Sequence, residues 1–594
     1  FFGIPKLAPY LKPYKMLFFW MVVTGTVGSG MDAIIPLFQQ HAIDHFIADK
    51  TMQGVGGWLA LYILVMIIQT ATNYISAYGA CKAELYIGRD LKRETFNHLQ
   101  TLSFSYFNQN SVGYTHARVM SDTDRIASTL AWGLMEAVWY IAYLLLAIVM
   151  MFVLNWKLAL CVMVIVPVLV LSGAYFQKKL VFFHRRVREQ NSKITGAFNE
   201  GITGAKTTKT LVIEDKVEQE FDDLTGEMKR LSVRAMHFRG VFMSTTAFAA
   251  SIALAIVLWR GGVITRDGVI LIGTLSVFMN YAQGMMEPVQ WLVQVMSSLV
   301  NVQVNVERVT RLLETESDVS DTPEVTAKYG DAFHPKKENW EPLHGDIEFQ
   351  DVTFRYPDGS ENVLEHFNLK VPQGTNVAIV GETGAGKSTL VNLVCRFFEP
   401  TQGRILIDGR DARERSQLWL HSNIGYVLQT PHLFSGTVLE NLRYGRPDAT
   451  MDEIEAAVKT VSADQIIARL PDGYNTDIGE GGNTLSTGEK QLLSFARALL
   501  ADPRIFVLDE ATSSVDTVTE RLIQDAIEKV MAGRTSFIIA HRLSTIRRAD
   551  VILVVHDGKI IESGTHRSLM EAKGAYYQLY TRQYREEQTR SMME

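Results

Sequence analysis

The glycine-rich stretch GETGAGKST at residues 381–389 has the composition of a loop that wraps around phosphate groups. It follows an apolar run at 376–380, which predicts a strand, and it leads into helical patterning at 389–397. Glycines let successive backbone N–H groups curl around phosphate oxygens, and a helix N-terminus adds partial positive charge. The stretch therefore predicts a phosphate-binding loop (P-loop).

Side chains in and beyond this loop have the chemistry for a nucleotide and Mg²⁺. Lys387 can reach the β- and γ-phosphates, and the Ser388 hydroxyl can ligate Mg²⁺. The expected nucleotide contacts within the loop are Gly381, Thr383, Gly384, Ala385, Gly386, Lys387, Ser388 and Thr389. A second apolar run, 505–508, predicts a strand that ends in Asp509 and Glu510. Because acids at the C-terminal ends of parallel strands face the nucleotide crevice, we expect Asp509 to bind Mg²⁺ through water and Glu510 to polarise the attacking water.

These residues need an α/β domain around them, and the second half of the chain has that pattern. An acidic, proline-containing stretch predicts a linker at 315–344. After it, short β-rich runs alternate with helical patterns, which is typical of a largely parallel sheet. We expect the α/β domain at 345–583 and a C-terminal tail at 584–594.

The first half of the chain has a different composition. Of the 594 residues, 47% are hydrophobic and 21% are charged, and the apolar residues concentrate in the N-terminal half. Average soluble proteins contain about 25% charged residues. The net charge of -6 lacks the electrostatic signature of a nucleic-acid binder, and the three cysteines are too scattered for a disulfide framework or a zinc site. We expect a membrane domain at 1–314, a lipid bilayer as its surroundings, and no nucleic acid as partner.

A membrane span needs about 20 mostly apolar residues. Six stretches meet this requirement, at 16–38, 58–80, 126–154, 158–176, 241–259 and 269–300. The long connections carry clusters such as Lys92-Arg93, so the positive-inside rule places them and both termini in the cytoplasm. Helical patterning continues through these connections, with breaks at 108–113 and 201–204. The predicted fold is a six-span helical domain with long cytoplasmic helical extensions, followed by an α/β P-loop nucleotide-binding domain, in a bacterial plasma membrane.

Polar residues inside the predicted spans indicate functional positions, because they are costly in lipid. They are Asp32, Gln69, Asn73, Glu136, Asn280, Gln283, Glu287, Gln290 and Gln294. The last five share one face of the sixth span. This face either packs against other helices through hydrogen bonds or lines a water-accessible cavity, and we favour the cavity.

A further motif, LSTGEKQ at 485–491, precedes the helical run LLSFARALL. At this point the chain resembles the ATP-binding cassette (ABC) family, and specifically the exporter type that fuses membrane and nucleotide-binding halves. The resemblance covers nearly the whole chain and implies ATP and Mg²⁺ as ligands, and ATP hydrolysis coupled to transport. By resemblance, Tyr356 stacks on adenine, Gln429 contacts Mg²⁺ and the attacking water, and His541 contacts the γ-phosphate.

The resemblance also implies contacts between two subunits. Ser486 and Gly488 match residues that reach the ATP of a facing subunit, and Asp516 matches a loop that crosses to it. The usual signature is LSGGQ, whereas this chain has Thr487 and Glu489 at two of those positions. This departure is either neutral variation in a homodimer or the mark of one half of a heterodimer.

The family resemblance implies a dimer of half-transporters with a twelve-helix pathway. ATP would close the cassettes, and the hairpin tips near 108–115 and 211–215 would transmit closure to the spans. The expected function is export of an amphipathic organic compound, such as a drug-like molecule, lipid or peptide, by alternating access. A lipid flippase or siderophore-related transporter is the alternative, and an ATP-gated channel or regulator fits the sequence less well.

Overall fold

The computed structural model describes residues 4–509, 517–540 and 542–593 and divides into two compact units. Unit 1 comprises Phe1–His98 and Val112–Thr315, and unit 2 comprises Leu99–Ser111 and Glu316–Glu594. Three predicted site residues lie outside the described residues, namely Glu510, Asp516 and His541. The domain boundaries predicted from the sequence stay predictions.

Long helices dominate the described residues before the predicted linker. They are α1 (Ala8–Leu11), α2 (Lys15–His41), α3 (Val55–Thr101), α4 (Phe104–Gln109), α5 (Val112–His116), α6 (Thr123–Met163), α7 (Ile165–Thr203), α8 (Ala205–Leu211), α9 (Glu214–Arg266), α10 (Ile272–Gly284) and α11 (Met286–Leu313). Short π-helical turns at Ala42–Ile47 and Ala117–Asp122 follow α2 and precede α6. The uninterrupted helices α3, α7 and α9 confirm that helical structure continues through the long connections.

Four stretches of the described residues are long and apolar enough to cross a membrane, namely Pro5–Ile47, Val55–Thr101, Val112–Met163 and Glu214–Arg266. The count of six spans stays a prediction. Within α6, Asn155 has non-helical backbone angles (φ -160°, ψ 106°), at the place where the sequence predicts a turn between the third and fourth spans. The predicted sixth span is divided between α10 and α11, because Pro288 has no N–H to donate to the carbonyl of Gly284.

Small residues let the helices of unit 1 approach closely. A Cβ on Gly25 of α2 would lie 3.3 Å from Val138 of α6, and one on Gly28 would lie 2.7 Å from the Asn73 Oδ1 of α3. Close backbone approach increases van der Waals contact, which is a main source of helix association in lipid. Glycine on α2 therefore sets the spacing of α2, α3 and α6.

Unit 2 has the predicted α/β architecture. Its described strands are β1 (Ile347–Phe354), β2 (Leu364–Val371), β3 (Asn376–Val380), β4 (Gln402–Ile407), β5 (Arg410–Asp411), β6 (Ile424–Val427), β7 (Ile505–Asp509), β8 (Thr535–Ile539), β9 (Val551–His556) and β10 (Lys559–Gly564). One sheet has the order β10-β9-β3-β8-β7-β6 and is parallel from β9 to β6, and the other is antiparallel with the order β2-β1-β4-β5.

Helices cover the parallel sheet and complete unit 2. The described ones are α12 (Pro323–Tyr329), α13 (Lys387–Val394), α14 (Gln417–Ser422), α15 (Val438–Arg443), α16 (Met451–Thr460), α17 (Asp464–Ile467), α18 (Thr487–Leu500), α19 (Thr517–Met531), α20 (Leu543–Arg548), α21 (His566–Ala572) and α22 (Ala575–Met593). Two apolar clusters form the core, and strands of the parallel sheet contribute side chains to both. The sheet is thus buried on its two faces, as parallel sheets usually are.

The predicted linker packs against the α/β domain through buried polar contacts. Arg396 is 3% exposed, and its guanidinium donates to Asp321 Oδ1 and to Glu399 Oε1, each at 2.9 Å. The buried indole of Trp419 donates to the Glu341 carbonyl at 2.6 Å. These contacts fix both ends of the segment to unit 2.

We predict that Arg396→Ala lowers the free energy of unfolding by about 3–5 kcal/mol, because it leaves carboxylates without their buried partner. Arg567→Ala is the matched control. It removes an exposed i,i+4 pair with Glu571 and should cost less than about 1 kcal/mol. Denaturant unfolding of the full chain, followed by tryptophan fluorescence, measures both changes. Equal stability of the two variants would contradict the structural role of Arg396.

Candidate nucleotide-binding site

Parallel strands bring the predicted site residues to one edge of the sheet. The register pairs Ile379 of β3 with Ile539 of β8, and Asp509 of β7 with the same Ile539. Strand β6 joins this edge through the pairing of Val427 with Leu508. The P-loop follows β3, and Gln429 follows β6, so both extend from the edge where Asp509 ends β7. Ligands of open parallel sheets bind in the crevice at such carboxyl ends.

The P-loop backbone requires its glycines. Gly381, Gly384 and Gly386 have φ values of 155°, 87° and 101°, which L side chains rarely adopt. A Cβ on Gly381 would also lie 2.2 Å from the Val555 carbonyl oxygen. The loop then enters α13 at Lys387, two residues earlier than the sequence pattern predicts. Strand β3 spans the predicted residues 376–380.

Lys387 lies inside the loop with its ammonium group held by the backbone. The side chain is buried, and Nζ donates to the carbonyl oxygens of Gly381 at 2.8 Å and Glu382 at 2.7 Å. Burial lowers the pKa of Lys387, and the negative charge of Asp509 opposes that shift. An ammonium group has three donors, so a third N–H can reach an anion.

The start of α13 can receive an anion such as a phosphate group. Its N-cap residue, Gly386, offers no side-chain capping bond, so N–H groups of the first turn can receive ligand oxygens. Ser388 and Gln429 are exposed and, with Asp509, offer the oxygen ligands that Mg²⁺ prefers. Among the described residues, no group of three His, Cys, Asp or Glu side chains could hold a metal by itself.

The remaining predicted P-loop residues differ in exposure. Thr383 is at the surface, whereas Ala385 and Thr389 are buried. The Tyr356 hydroxyl makes a 3.0 Å hydrogen bond with Thr389 Oγ1. The Tyr356 ring is half-buried and meets Phe354 and Phe398 edge to face, at 4.9 Å and 5.1 Å between centroids. These contacts fix Tyr356 beside α13, and adenine stacking by its ring stays a prediction.

The unusual signature residues have a structural explanation. Ser486 is the N-cap of α18, and its hydroxyl accepts from the Glu489 N–H at 3.4 Å. Glu489 Oε2 accepts from the Ser486 N–H at 2.8 Å in return, which completes a capping box. Thr487 is the exposed first residue of the helix, so its position does not require glycine, and Gly488 is buried. The S-x-x-E spacing was the signal from which this role of Glu489 could have been predicted.

An aromatic cluster connects the P-loop helix with residues 99–111. The Phe397 ring lies 4.2 Å from Phe104, 5.6 Å from Tyr426 and 5.4 Å from His421. Phe397 follows α13, and its ring contacts Phe104 at the start of α4, Tyr426 of β6 and His421 of α14. Residues 99–111 interrupt unit 1 in the sequence but belong to unit 2. No local sequence pattern indicates this contact, because its partners are far apart in the chain.

Comparisons with known proteins agree with this geometry. Residues 18–289 match the family model of the ABC transporter transmembrane region, and residues 364–513 match that of the ABC transporter. The chain is 34% identical to the uncharacterized ABC transporter ATP-binding protein YfiC of Bacillus subtilis, over 98% of this chain and 94% of that protein. It is 33% identical to the putative multidrug export ATP-binding/permease protein YgaD of Bacillus subtilis, over 96% of this chain and 98% of that protein.

A solved structure is similar over the whole length. A bacterial Atm1-family ABC exporter with ATP bound matches with a TM-score of 0.78 and 26% identity, covering 96% of this chain and 98% of that one. The transmembrane region makes this chain an integral membrane protein, and the ATP-binding region implies ATP hydrolysis coupled to transport. The chain belongs to the ABC transporter family and carries the transmembrane and ATP-binding regions in one polypeptide.

Proposed function

We propose that this chain is one half of a dimeric ATP-driven exporter, which moves an amphipathic organic compound out of a bacterial cytoplasm by alternating access. The similarity to a putative multidrug export protein and to an Atm1-family exporter supports export. Both termini and the long helical connections would lie in the cytoplasm, where the lysine and arginine clusters favour them.

Different residues at the sheet edge would bind the phosphates, bind Mg²⁺ and hydrolyse ATP. Lys387 and the N-terminus of α13 would hold the phosphates, and Ser388, Asp509 and Gln429 would hold Mg²⁺. The bound ion would neutralise charge that develops on the phosphate oxygens. Glu510 accepts a proton from the attacking water, and His541 positions the γ-phosphate.

The observation that carries the proposal is the aromatic contact of Phe397. Phe104 precedes the predicted hairpin tip between two long helices, and its ring contacts that of Phe397, three residues after the end of the P-loop helix. Tyr426 links the same ring to the strand before Gln429. Because packed side chains resist compression, a shift of α13 or β6 must displace Phe104 as well. We propose that movement at the nucleotide site reaches the membrane helices through this contact.

The partner subunit is proposed to be a second copy of this chain. Ser486 and Gly488 lie at the N-terminus of α18, where the N–H groups of Thr487 and Gly488 lie outside the capping box and can meet an anion. The capping box keeps this helix end formed despite Thr487 and Glu489. Asp516 would contact the facing cassette. The altered signature therefore remains compatible with two equal sites in a homodimer.

We predict that Glu510→Gln lowers ATP hydrolysis by about 10²–10⁴-fold, because the general base is lost, while the Kd for ATP changes little. Glu528→Gln, on the surface helix α19, is the matched control and should hydrolyse ATP at the wild-type rate. Phosphate release and nucleotide binding in lipid nanodiscs measure the two quantities. Undiminished turnover in Glu510→Gln would remove this residue from the mechanism.

We predict that Phe104→Ala lowers the ratio of compound transported to ATP hydrolysed by about tenfold, since the contact with Phe397 is lost. Phe107→Ala removes a neighbouring aromatic ring of α4 whose ring contact is with Tyr106 instead, and it should keep the wild-type ratio. Transport and hydrolysis are measured together in proteoliposomes. A Phe104→Ala protein with normal coupling would show that this contact does not transmit movement.

We predict that the chain expressed alone hydrolyses ATP and that Glu489→Gln retains the wild-type rate, because glutamine also closes a capping box. Glu489→Ala should destabilise the start of α18 by about 1 kcal/mol and lower the turnover. Initial rates of ATP hydrolysis in nanodiscs compare the three proteins. A folded wild-type chain that turns over only after addition of a different ABC subunit would refute the homodimer.

A further inference from the structure

An aromatic wall extends along α6 and onto α11 in unit 1. Trp139 and Tyr143 stack with ring centroids 5.6 Å apart, and Tyr140 meets Trp139 edge to face at 4.9 Å. The Tyr140 ring also lies 5.1 Å from Trp291 of α11. Aromatic faces attract cations through their quadrupole, and most strongly where water is excluded. None of these four rings has a role in the nucleotide site.

Three of the four rings, those of Trp139, Tyr140 and Trp291, donate hydrogen bonds to carboxylates. The donor–acceptor pairs are Trp291 Nε1 to Glu136 Oε2 at 2.7 Å, Tyr140 hydroxyl to Glu287 Oε1 at 3.0 Å, and Trp139 Nε1 to Asp32 Oδ2 at 2.9 Å. Gln69 is a further donor to Asp32. Neutral donors satisfy part of the hydrogen-bonding capacity of each carboxylate but supply no positive charge.

The charge of the spans is unbalanced. The six predicted spans contain Asp32, Glu136 and Glu287 as their acidic residues and no lysine or arginine. Within the described part of the chain, none of these three carboxylates makes an ion pair. A carboxylate at membrane depth is expensive without a compensating charge. A proton or a cationic ligand would supply the missing positive charge.

We propose, on the basis of the export function above, that the aromatic wall and its carboxylates bind the positive group of the transported compound, which makes amphipathic organic cations the substrate class. Glu136 and Glu287 are exposed and can meet a ligand directly, whereas Asp32 is half-buried and holds Trp139 in place. The rings supply apolar surface and π faces, and the carboxylates supply the countercharge. A neutral or anionic compound of the same size would gain binding free energy only from apolar contact with the rings.

The test compares tetraphenylphosphonium with tetraphenylborate, an anion of similar size and shape. Equilibrium dialysis against the full chain in neutral-lipid nanodiscs gives the Kd of each probe. We expect the wild-type protein to bind the cation at least about tenfold more tightly than the anion, and Glu136→Gln and Glu287→Gln each to weaken cation binding by about tenfold. Glu218→Gln removes an exposed acid of α9 outside the predicted spans and should leave both affinities unchanged.

Further variants and a second readout keep the outcomes distinct. Glu136→Asp retains the charge and should restore cation binding, and Trp291→Phe retains the ring and should weaken binding less than Trp291→Ala. Equal affinity for the two probes, or cation binding that is unchanged in both glutamine variants, would overturn the substrate assignment. ATP hydrolysis that depends on Glu510 would then still support the transporter proposal, whereas its absence would refute that proposal separately.

Discussion

The nucleotide site depends on the parallel register of β3, β8, β7 and β6. Hydrogen bonding between these strands places their carboxyl ends at one edge of the sheet. The P-loop after β3, Asp509 at the end of β7 and Gln429 just after β6 therefore lie at that edge. A register shift of one residue would turn every side chain of a strand to the opposite face and separate these groups. Burial of the sheet on both faces opposes such a shift. The apolar core of unit 2 therefore fixes the positions of the polar residues at the nucleotide site.

The two halves of the chain solve opposite electrostatic problems. The P-loop concentrates N–H groups and the Lys387 ammonium where an anion can bind, and the backbone carbonyls of Gly381 and Glu382 hold that ammonium in place. The membrane half carries three carboxylates and no basic residue within its predicted spans, with aromatic donors as their partners. Under the proposals above, unit 2 would recognise ATP, a polyanion, and unit 1 would recognise a cationic transported compound, each by complementary charge. In the proposed mechanism, the Phe397 cluster, which lies within unit 2, would transmit movement from the nucleotide site towards the membrane helices.

Local pattern was sufficient to predict the P-loop strand, the α/β class and the long helices, because each follows from spacing within a short window. The sequence did not indicate the Phe104–Phe397 contact or the hydrogen bond between Tyr356 and Thr389, which depend on tertiary packing. The capping role of Glu489 was not predicted, although its spacing from Ser486 already contained the capping-box pattern. The sequence of the linker likewise did not indicate that it packs on the α/β domain, where Arg396 forms a hydrogen bond with the linker residue Asp321.

The central claim is that two copies of this chain form one ATP-driven machine. It is tested most directly by the distance between two spin labels, one in each copy, attached through Met52→Cys. Met52 is an exposed residue before α3. The labelled chain also has Cys81 and Cys161 replaced, so that they take no label, and carries Glu510→Gln to prevent hydrolysis. Cys395 can remain, because it is buried and burial raises the pKa of its thiol. One label per chain gives a distance only if two copies associate. We predict a defined distance between the labels that changes by several ångströms when ATP binds. The absence of dipolar coupling, or a distance that is the same with and without ATP, would contradict the dimeric ATP-driven mechanism.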